Sequence, residues 1–383
     1  MTPVVLRDYQ QEAVDWLLSR RRGFIHAPAG SGKTIIAAHA VARRAWPGCR
    51  VVWLANTVEQ VQQGEAAIQR TSGPACDIEV CCVQSNPDCS RADVVVTDEA
   101  HHLPAETWSR TVGQALERGA VVWGFSATPW HEDEERNAKV REAFQEFFSV
   151  DRARVLAAGC LVEGKVFFHD LDVPGQFDPD INSRVAVELI RRCRRYPGVP
   201  RFEHERRARW QITQEVIQAN EARNQAAVGL ARQEAGRGQS VLMLVHSIEH
   251  GEKLALGTGS GQLCHSKLPA KKRREMIEGF RVGALPILVA TSLADEGLDC
   301  PRASRLVLVS GGRSSGKLEQ RIGRILRPFE GKEAGICHDF LDRGAIFAAA
   351  QARARWRVYE GLGYNPELVR YLEKPLAVTQ ASC

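Results

Sequence analysis

The chain has 383 residues, of which 44% are hydrophobic and 25% charged, proportions that exclude a disordered or fibrous protein. Single cores stop growing near ~250–300 residues, so this length implies two or three domains. The net charge is only +5, yet residues 191–210 hold eight Arg against two Glu, a local excess that suits a polyanionic partner.

The longest apolar runs, such as 51–55 and 241–245, are strand-sized, far short of the ~20 residues of a spanning helix, so no membrane partner is expected. The first residues lack a basic segment followed by an apolar one, so no secretory signal is expected. Eleven Cys, an odd number scattered along the chain, fit reduced thiols rather than a disulfide framework. A cytoplasmic location is the expectation.

Strands are predicted at 23–26, 50–55, 78–84, 93–98 and 120–126, with amphipathic stretches between most of them. The same rhythm returns with strands at 240–246, 263–265, 286–291, 305–310 and 335–339. Alternation of this kind belongs to parallel sheets built from βαβ units, and it occurs here twice. The expected organisation is an α/β domain at 1–150, a linker with an Arg-rich helical insertion at 151–235, a second α/β domain at 236–345, and a C-terminal helical tail at 346–383.

The first strand runs into Ala27-Pro28-Ala29-Gly30-Ser31-Gly32-Lys33-Thr34 and then into a helical pattern. Strand, Gly-rich loop and helix make a phosphate cradle, because small residues let backbone N–H groups curl around phosphates at a helix N-terminus. Pro28, Gly30, Ser31 and Gly32 would form the cradle, Lys33 would reach the β- and γ-phosphates, and the Thr34 hydroxyl would hold Mg²⁺. Ala27 stands where the pattern usually has Gly. Downstream, Asp98 and Glu99 end a strand of consecutive Val residues, the place where open α/β sheets bind ligands. Asp98 would bind Mg²⁺, and Glu99 would orient and help deprotonate an attacking water.

Asp98-Glu99-Ala100-His101, taken with this loop, resembles the superfamily 2 helicases and translocases of the DEAH/DExH type. Further elements of that family are recognisable in order. Leu6-Arg7-Asp8-Tyr9-Gln10 is similar to the adenine-recognition element, with Gln10 and Arg7 as the base readers. Ser126-Ala127-Thr128 matches the motif that couples hydrolysis to nucleic-acid contact, and His101 joins that group. Residues 290–299 and 320–328 resemble motifs five and six; the former brings Gly297 and Asp299 to the nucleotide, the latter Gln320, Arg324 and Arg327. The last three fall at helical spacings, so one face is expected to present them together, with Arg324 and Arg327 stabilising the transferring phosphoryl group.

The resemblance covers roughly residues 6–328 and implies two tandem RecA-like parallel-sheet domains with an ATP cleft between them. By matching position it places nucleic-acid contacts at Asn56 and Thr57, Gln84 and Ser85, Ser247, and Thr291 and Ser292. Asn56-Thr57 stands where many relatives have Pro-Thr, and Trp130-His131 where an Arg is common. The segments 221–224 and 269–274 most resemble the XPB-like, restriction-motor and phage-encoded branch. ATP and Mg²⁺ are the expected cofactors and DNA the preferred track, for a chain expected to work as a monomer on it. The alternatives are an RNA helicase, an ATP-gated DNA clamp, and a motor subunit with a separate protein partner. A metabolic kinase would have no use for the second α/β block.

Cys76, Cys81, Cys82 and Cys89 lie where some helicases carry an iron–sulfur cluster, but no C-x-x-C pair exists to chelate, so core thiols are expected. In the Arg-rich run, Tyr196, Phe202 and Trp210 interleave with the cations, while Pro197 and Pro200 interrupt a continuous helix. That leaves a solvated face and a nucleic-acid surface equally open.

Overall fold

The computed structural model describes residues 5–71, 76–128, 130, 133–171, 180–291, 300–310, 315–343 and 346–370. The chain divides into two compact units, Met1–Leu161 and Val162–Cys383.

The first unit runs α1 (Asp8–Leu18), β1 (Arg22–His26), α2 (Lys33–Arg44), β2 (Arg50–Ala55), α3 (Val58–Arg70), β3 (Asp77–Cys82), β4 (Val94–Asp98), α4 (Glu106–Arg118), β5 (Val121–Ser126), α5 (Glu134–Ala143), β6 (Glu146–Ser149) and α6 (Arg152–Ala157). Its six strands form one parallel sheet in the order β3-β2-β4-β5-β1-β6. Every residue of β4 and β5 is buried, as expected of central parallel strands covered on both faces, which explains their unbroken apolar sequence. Phe24 of β1 meets Phe144 edge to face at 5.2 Å, closing one face of this core. The carboxylate strand β4 and the phosphate-loop strand β1 are separated by β5 alone, which brings their C-terminal ends to either side of Ser126.

The second unit runs β7 (Glu163–Asp170), α7 (Ile181–Arg195), α8 (Arg201–Ala219), α9 (Glu221–Gly236), β8 (Val241–Leu244), α10 (Ile248–Thr258), β9 (Gln262–Cys264), α11 (Ala270–Val282), β10 (Ile287–Ala290), β11 (Arg305–Leu308), α12 (Ser315–Ile325), β12 (Ala334–Leu341), α13 (Ile346–Gly361) and β13 (Glu367–Arg370). Its seven parallel strands are ordered β13-β7-β12-β11-β8-β10-β9. The stretch expected as a linker therefore contributes a strand: β7 pairs with β12 along its whole length, from Glu163↔Ala334 to Asp170↔Leu341. The segment after Gly363, expected to be helical, instead adds β13 beside β7. Both strands are recruited by partners distant in sequence rather than by their own periodicity.

Two buried ion pairs tie helices to this sheet. The Arg223 guanidinium on α9 lies 2.7 Å from Asp342 and donates to the Val309 carbonyl at 2.9 Å. Arg355 on α13 makes two bonds of 2.7 and 2.8 Å to Asp339 at the end of β12. Helices α7 and α8 pack against each other around Ile181, Val185, Ala208 and Ile212.

Candidate nucleotide site and its coupling network

The loop between β1 and α2 has the backbone that its sequence predicts. Gly30 and Gly32 take φ of +88° and +82°, a region that L side chains enter only at a cost. A Cβ on Gly30 would stand 2.7 Å from Leu161 Cδ2, and one on Gly32 would stand 2.5 Å from Gln10 Nε2, so neither position has room for a side chain. Lys33 and Thr34 open α2, both half-buried, with the Lys33 ammonium turned back to the Ala27 and Pro28 carbonyl oxygens at 3.1 and 3.4 Å. The Ser31 hydroxyl is buried without a hydrogen-bond partner. An uncommitted donor, a cation parked on loop carbonyls and a helix N-terminus fit a bound polyphosphate.

Gln10 is buried, donating to the Ser31 carbonyl at 3.0 Å and accepting from the Arg7 backbone N–H at 3.0 Å, while Arg7 itself is exposed. Beside it the Tyr9 hydroxyl donates to the same carbonyl at 2.8 Å and lies 3.3 Å from Cys160 Sγ. Tyr9 and Cys160 therefore brace the phosphate loop from beneath, a role that sequence reasoning did not assign. The available signal was the position of Tyr9, directly before Gln10 in the N-terminal element.

Asp98 ends β4, and its Oδ1 accepts the backbone N–H of Glu99 at 3.0 Å. Glu99 turns the chain with φ of +54°, rare for a residue with a side chain, and leads into a short 3-10 turn at Ala100–His102. Its carboxylate accepts from the Ser126 hydroxyl at 3.3 Å and lies 3.3 Å from His101 Nδ1. His101 Nδ1 and Ser126 Oγ are 2.8 Å apart, and the Thr128 backbone N–H donates to Ser126 Oγ at 3.1 Å. Glu99, His101, Ser126 and Thr128 are thus one connected network.

The two carboxyl groups are pushed apart electrostatically. Burial, and then the neighbouring Glu99, drive Asp98 well above the usual carboxylate range, against the pull of Lys33. Burial acts on Glu99 in the same sense but is outweighed by the hydrogen bond with His101 and the charge of Lys33, which hold its carboxyl below that range. An ionised Glu99 can accept a proton from water. Asp98 is a carboxyl short of positive charge, which a divalent cation would supply in place of its proton. The Asp98 carboxyl and the Thr34 hydroxyl at the start of α2 are oxygen donors of the kind that Mg²⁺ takes.

The expected nucleic-acid contacts sit at strand ends, several of them in local hydrogen bonds. Gln84 donates to Asn56 at 3.0 Å. Thr57 caps α3 through Gln60, and Ser85 donates to the Cys82 carbonyl at 2.7 Å. Ser247 caps α10 and donates to Gln218 at 2.8 Å, and Thr291 follows β10 nearly buried. Ser292, Gly297 and Asp299 lie outside the described residues. Gln320 and Arg324 are one turn apart on α12, both half-buried. Arg327 is not on their helix: α12 ends at Ile325, and the residue before Pro328 is disfavoured from helical conformation.

Among the described residues no group of His, Cys, Asp and Glu could hold a metal ion in a ligand cluster, and no helix is long and apolar enough to cross a membrane. β3, which carries Cys81 and Cys82, is an edge strand, so both thiols are half-buried rather than enclosed.

Two parallel sheets, the first carrying a phosphate loop and a paired carboxylate at the ends of the two strands that flank β5, define a RecA-like α/β fold class. The model of the helicase conserved C-terminal domain matches residues 223–328, and that of the type III restriction enzyme res subunit matches residues 3–88. These matches support a superfamily 2 helicase or translocase of the XPB-like or restriction-motor type. A protein of Sulfolobus islandicus filamentous virus named as a helicase is 27% identical over 67% of this chain and 44% of its own length. The DNA 3'-5' translocase XPB2 of Sulfurisphaera tokodaii is 24% identical over 85% of this chain and 79% of its own. The structure of the ATP-dependent Type ISP restriction-modification enzyme LlaBIII bound to DNA shares the fold with a TM-score of 0.66 at 14% identity, over 97% of this chain and 32% of that one. The chain spans about half the length of several curated relatives that it matches.

Proposed function

We propose that this chain is a nucleic-acid-stimulated ATPase that translocates along DNA, hydrolysing ATP to ADP and phosphate. The observation that carries this reading is the Glu99 carboxylate, held ionised at the end of β4 and bonded to Ser126. A base held by a residue of the coupling motif can be reoriented when nucleic acid moves that motif.

In this reading the N–H groups of 30–33 and the Lys33 ammonium bind the phosphates, and Thr34 and Asp98 would hold Mg²⁺, which would supply charge neutralisation there. Glu99 orients the attacking water and takes its proton. By their place in motifs five and six, Gln320, Arg324 and Arg327 would serve the transferring group, and Gly297 and Asp299 the nucleotide. Arg7 and Gln10 serve the adenine end. Asn56, Thr57, Gln84, Ser85, Ser247, Thr291 and Ser292 hold the nucleic-acid backbone through small polar groups that do not read sequence. A second reading, a motor subunit working beside a partner, draws support from the match to the res-subunit model over residues 3–88.

The test is steady-state ATP hydrolysis by the purified chain alone and with single-stranded DNA, duplex DNA and RNA, with Lys33→Ala as the blank. DNA should stimulate the rate, and Glu99→Gln should lower it by roughly 10²- to 10⁴-fold while ATP and DNA still bind. A rate indifferent to every nucleic acid would sink the translocase reading in favour of a partner-dependent subunit or an ATP-gated clamp. Unaltered turnover in Glu99→Gln would remove Glu99 from its role.

A further inference from the structure

The C-terminal half of α8 is enclosed, with Ile212, Thr213, Gln214, Val216 and Ile217 all buried. Its N-terminal half buries only His204 and Ala208, so that the rest of this segment faces outward from the α7–α8 hairpin. Phe202 is 68% exposed there and Trp210 39% exposed, each a large apolar surface left in water. Residues 202, 206, 209 and 210 fall within about a 100° arc of the helix, so Phe202, Arg206, Arg209 and Trp210 form one stripe in which two guanidinium groups lie between two rings.

The charge on this hairpin is only partly answered by its own acids. Glu203 pairs with Arg207 at 3.2 Å and Glu205 with Arg209. Arg194, Arg201 and Arg206 are exposed and make no ion pair among the described residues. At its inner end the stripe reaches the sheet: the Trp210 ring stands edge-on to the His246 ring at 4.4 Å, and His246 precedes Ser247, the cap of α10 beyond β8.

We propose that this stripe on α8 is a stacking track for a single strand of nucleic acid, with Phe202 and Trp210 receiving bases and the unpaired cations of the hairpin, Arg206 on the stripe, Arg201 next to Phe202 in the chain and Arg194 on α7, receiving phosphates. The inference rests on the reading of the chain as a nucleic-acid motor and assigns that track a site outside the family motifs. Aromatic faces interleaved with cations bind bases whatever their sequence, and only a strand without a partner strand has free base faces to offer. Arriving at His246, such a strand reaches the strand-end loop where Ser247 is expected to hold its backbone. Val187 and Ile190 on α7 are exposed as well, which makes a protein partner the competing occupant.

The test is binding of the full chain, across a salt series, to a labelled oligothymidylate and to an abasic phosphodiester oligomer of equal length and charge. The unmodified chain should prefer the oligothymidylate. Phe202→Ala with Trp210→Ala should weaken that complex by roughly 5- to 100-fold per stacked base and leave the abasic complex alone. Arg194→Ala with Arg206→Ala should weaken both and reduce the salt slope by about 1.4. If the doubly substituted aromatic variant melts below the parent, Phe202→Ala alone decides, since that side chain lies outside the packed interior. No preference for bases, or affinity unmoved by Phe202→Ala, overturns the proposal and leaves the face to a protein partner. Hydrolysis in the same preparations separates the two readings. A rate indifferent to oligothymidylate sinks the motor, whereas a stimulated rate with unmoved affinity in the variants sinks only the track.

Discussion

The Ser126 hydroxyl stands 2.8 Å from His101 Nδ1, and both groups lie 3.3 Å from the same Glu99 carboxylate oxygen. Ser126 ends β5, in register between the strands that deliver the phosphate loop and the carboxylate pair. A displacement of the segment after β5 therefore changes the hydrogen bonds of Glu99, the proposed catalytic base, directly. Ser126→Ala and His101→Ala are each expected to reduce the ratio of DNA-stimulated to unstimulated ATPase rate by roughly 5- to 100-fold, the range of ordinary coupling energies. Hydrolysis measured with and without DNA over a range of ATP concentrations checks this, and an unchanged ratio would exclude the pair from coupling.

Asp98 makes the site sensitive to pH. A carboxyl whose pKa is raised on folding contributes stability that is present below its unfolded value and lost as the pH rises through the raised one. Without divalent cations the melting temperature should fall as the pH climbs above the ordinary carboxylate range of about 4. Asp98→Asn should flatten that fall. Glu99, held below the range, contributes in the opposite direction and only at lower pH. In the proposed site Mg²⁺ would displace the Asp98 proton, so its stabilising effect should grow from about pH 5 to about pH 8. Thermal melts with and without Mg²⁺ decide the matter; a Mg²⁺ effect independent of pH would argue against Asp98 as its ligand.

Gly32→Ala should separate loop strain from ligand space. The new methyl would stand 2.5 Å from Gln10 Nε2 at a φ of +82°. The left-handed backbone alone costs about 1–2 kcal/mol. Gly48→Ala is the matched control, with φ of +83° and no atom within 4 Å. Both variants should lose stability in urea, Gly32→Ala the more because its methyl also meets Gln10, and only Gly32→Ala should lose ATP affinity, by about tenfold or more, in calorimetric titration. Equal affinity in the two would mean that the loop accommodates a side chain.

Arg223 and Asp342 are both almost wholly buried. Arg223→Ala leaves a carboxylate without its partner in the core of the second unit, at an expected loss of about 3–5 kcal/mol. Replacing both, Arg223→Met with Asp342→Leu, should recover most of it. Urea unfolding of the three chains provides the comparison, and a double variant as weak as the single one would show that packing rather than charge decides.

The sequence by itself determined the local chemistry. The Val run of β4 before Asp98, the glycines of the loop after β1, and the repeated strand–helix rhythm are short-range signals, because a buried parallel strand, a positive φ and a helix start each depend on a few neighbouring residues. They sufficed for the two parallel-sheet blocks and, with the further motifs, for the family resemblance. The tertiary structure alone decided that β7 and β13 join the second sheet, since their stability comes from hydrogen bonds to strands distant along the chain. It also decided that Tyr9, 22 residues from Ser31 and 151 from Cys160, braces the phosphate loop. The end of α12 before Arg327 breaks a spacing that looked helical in the sequence, because position along a helix has meaning only while the helix lasts. Contacts closed by folding the sheet carry no periodicity along the chain, and so no pattern in the sequence announced them.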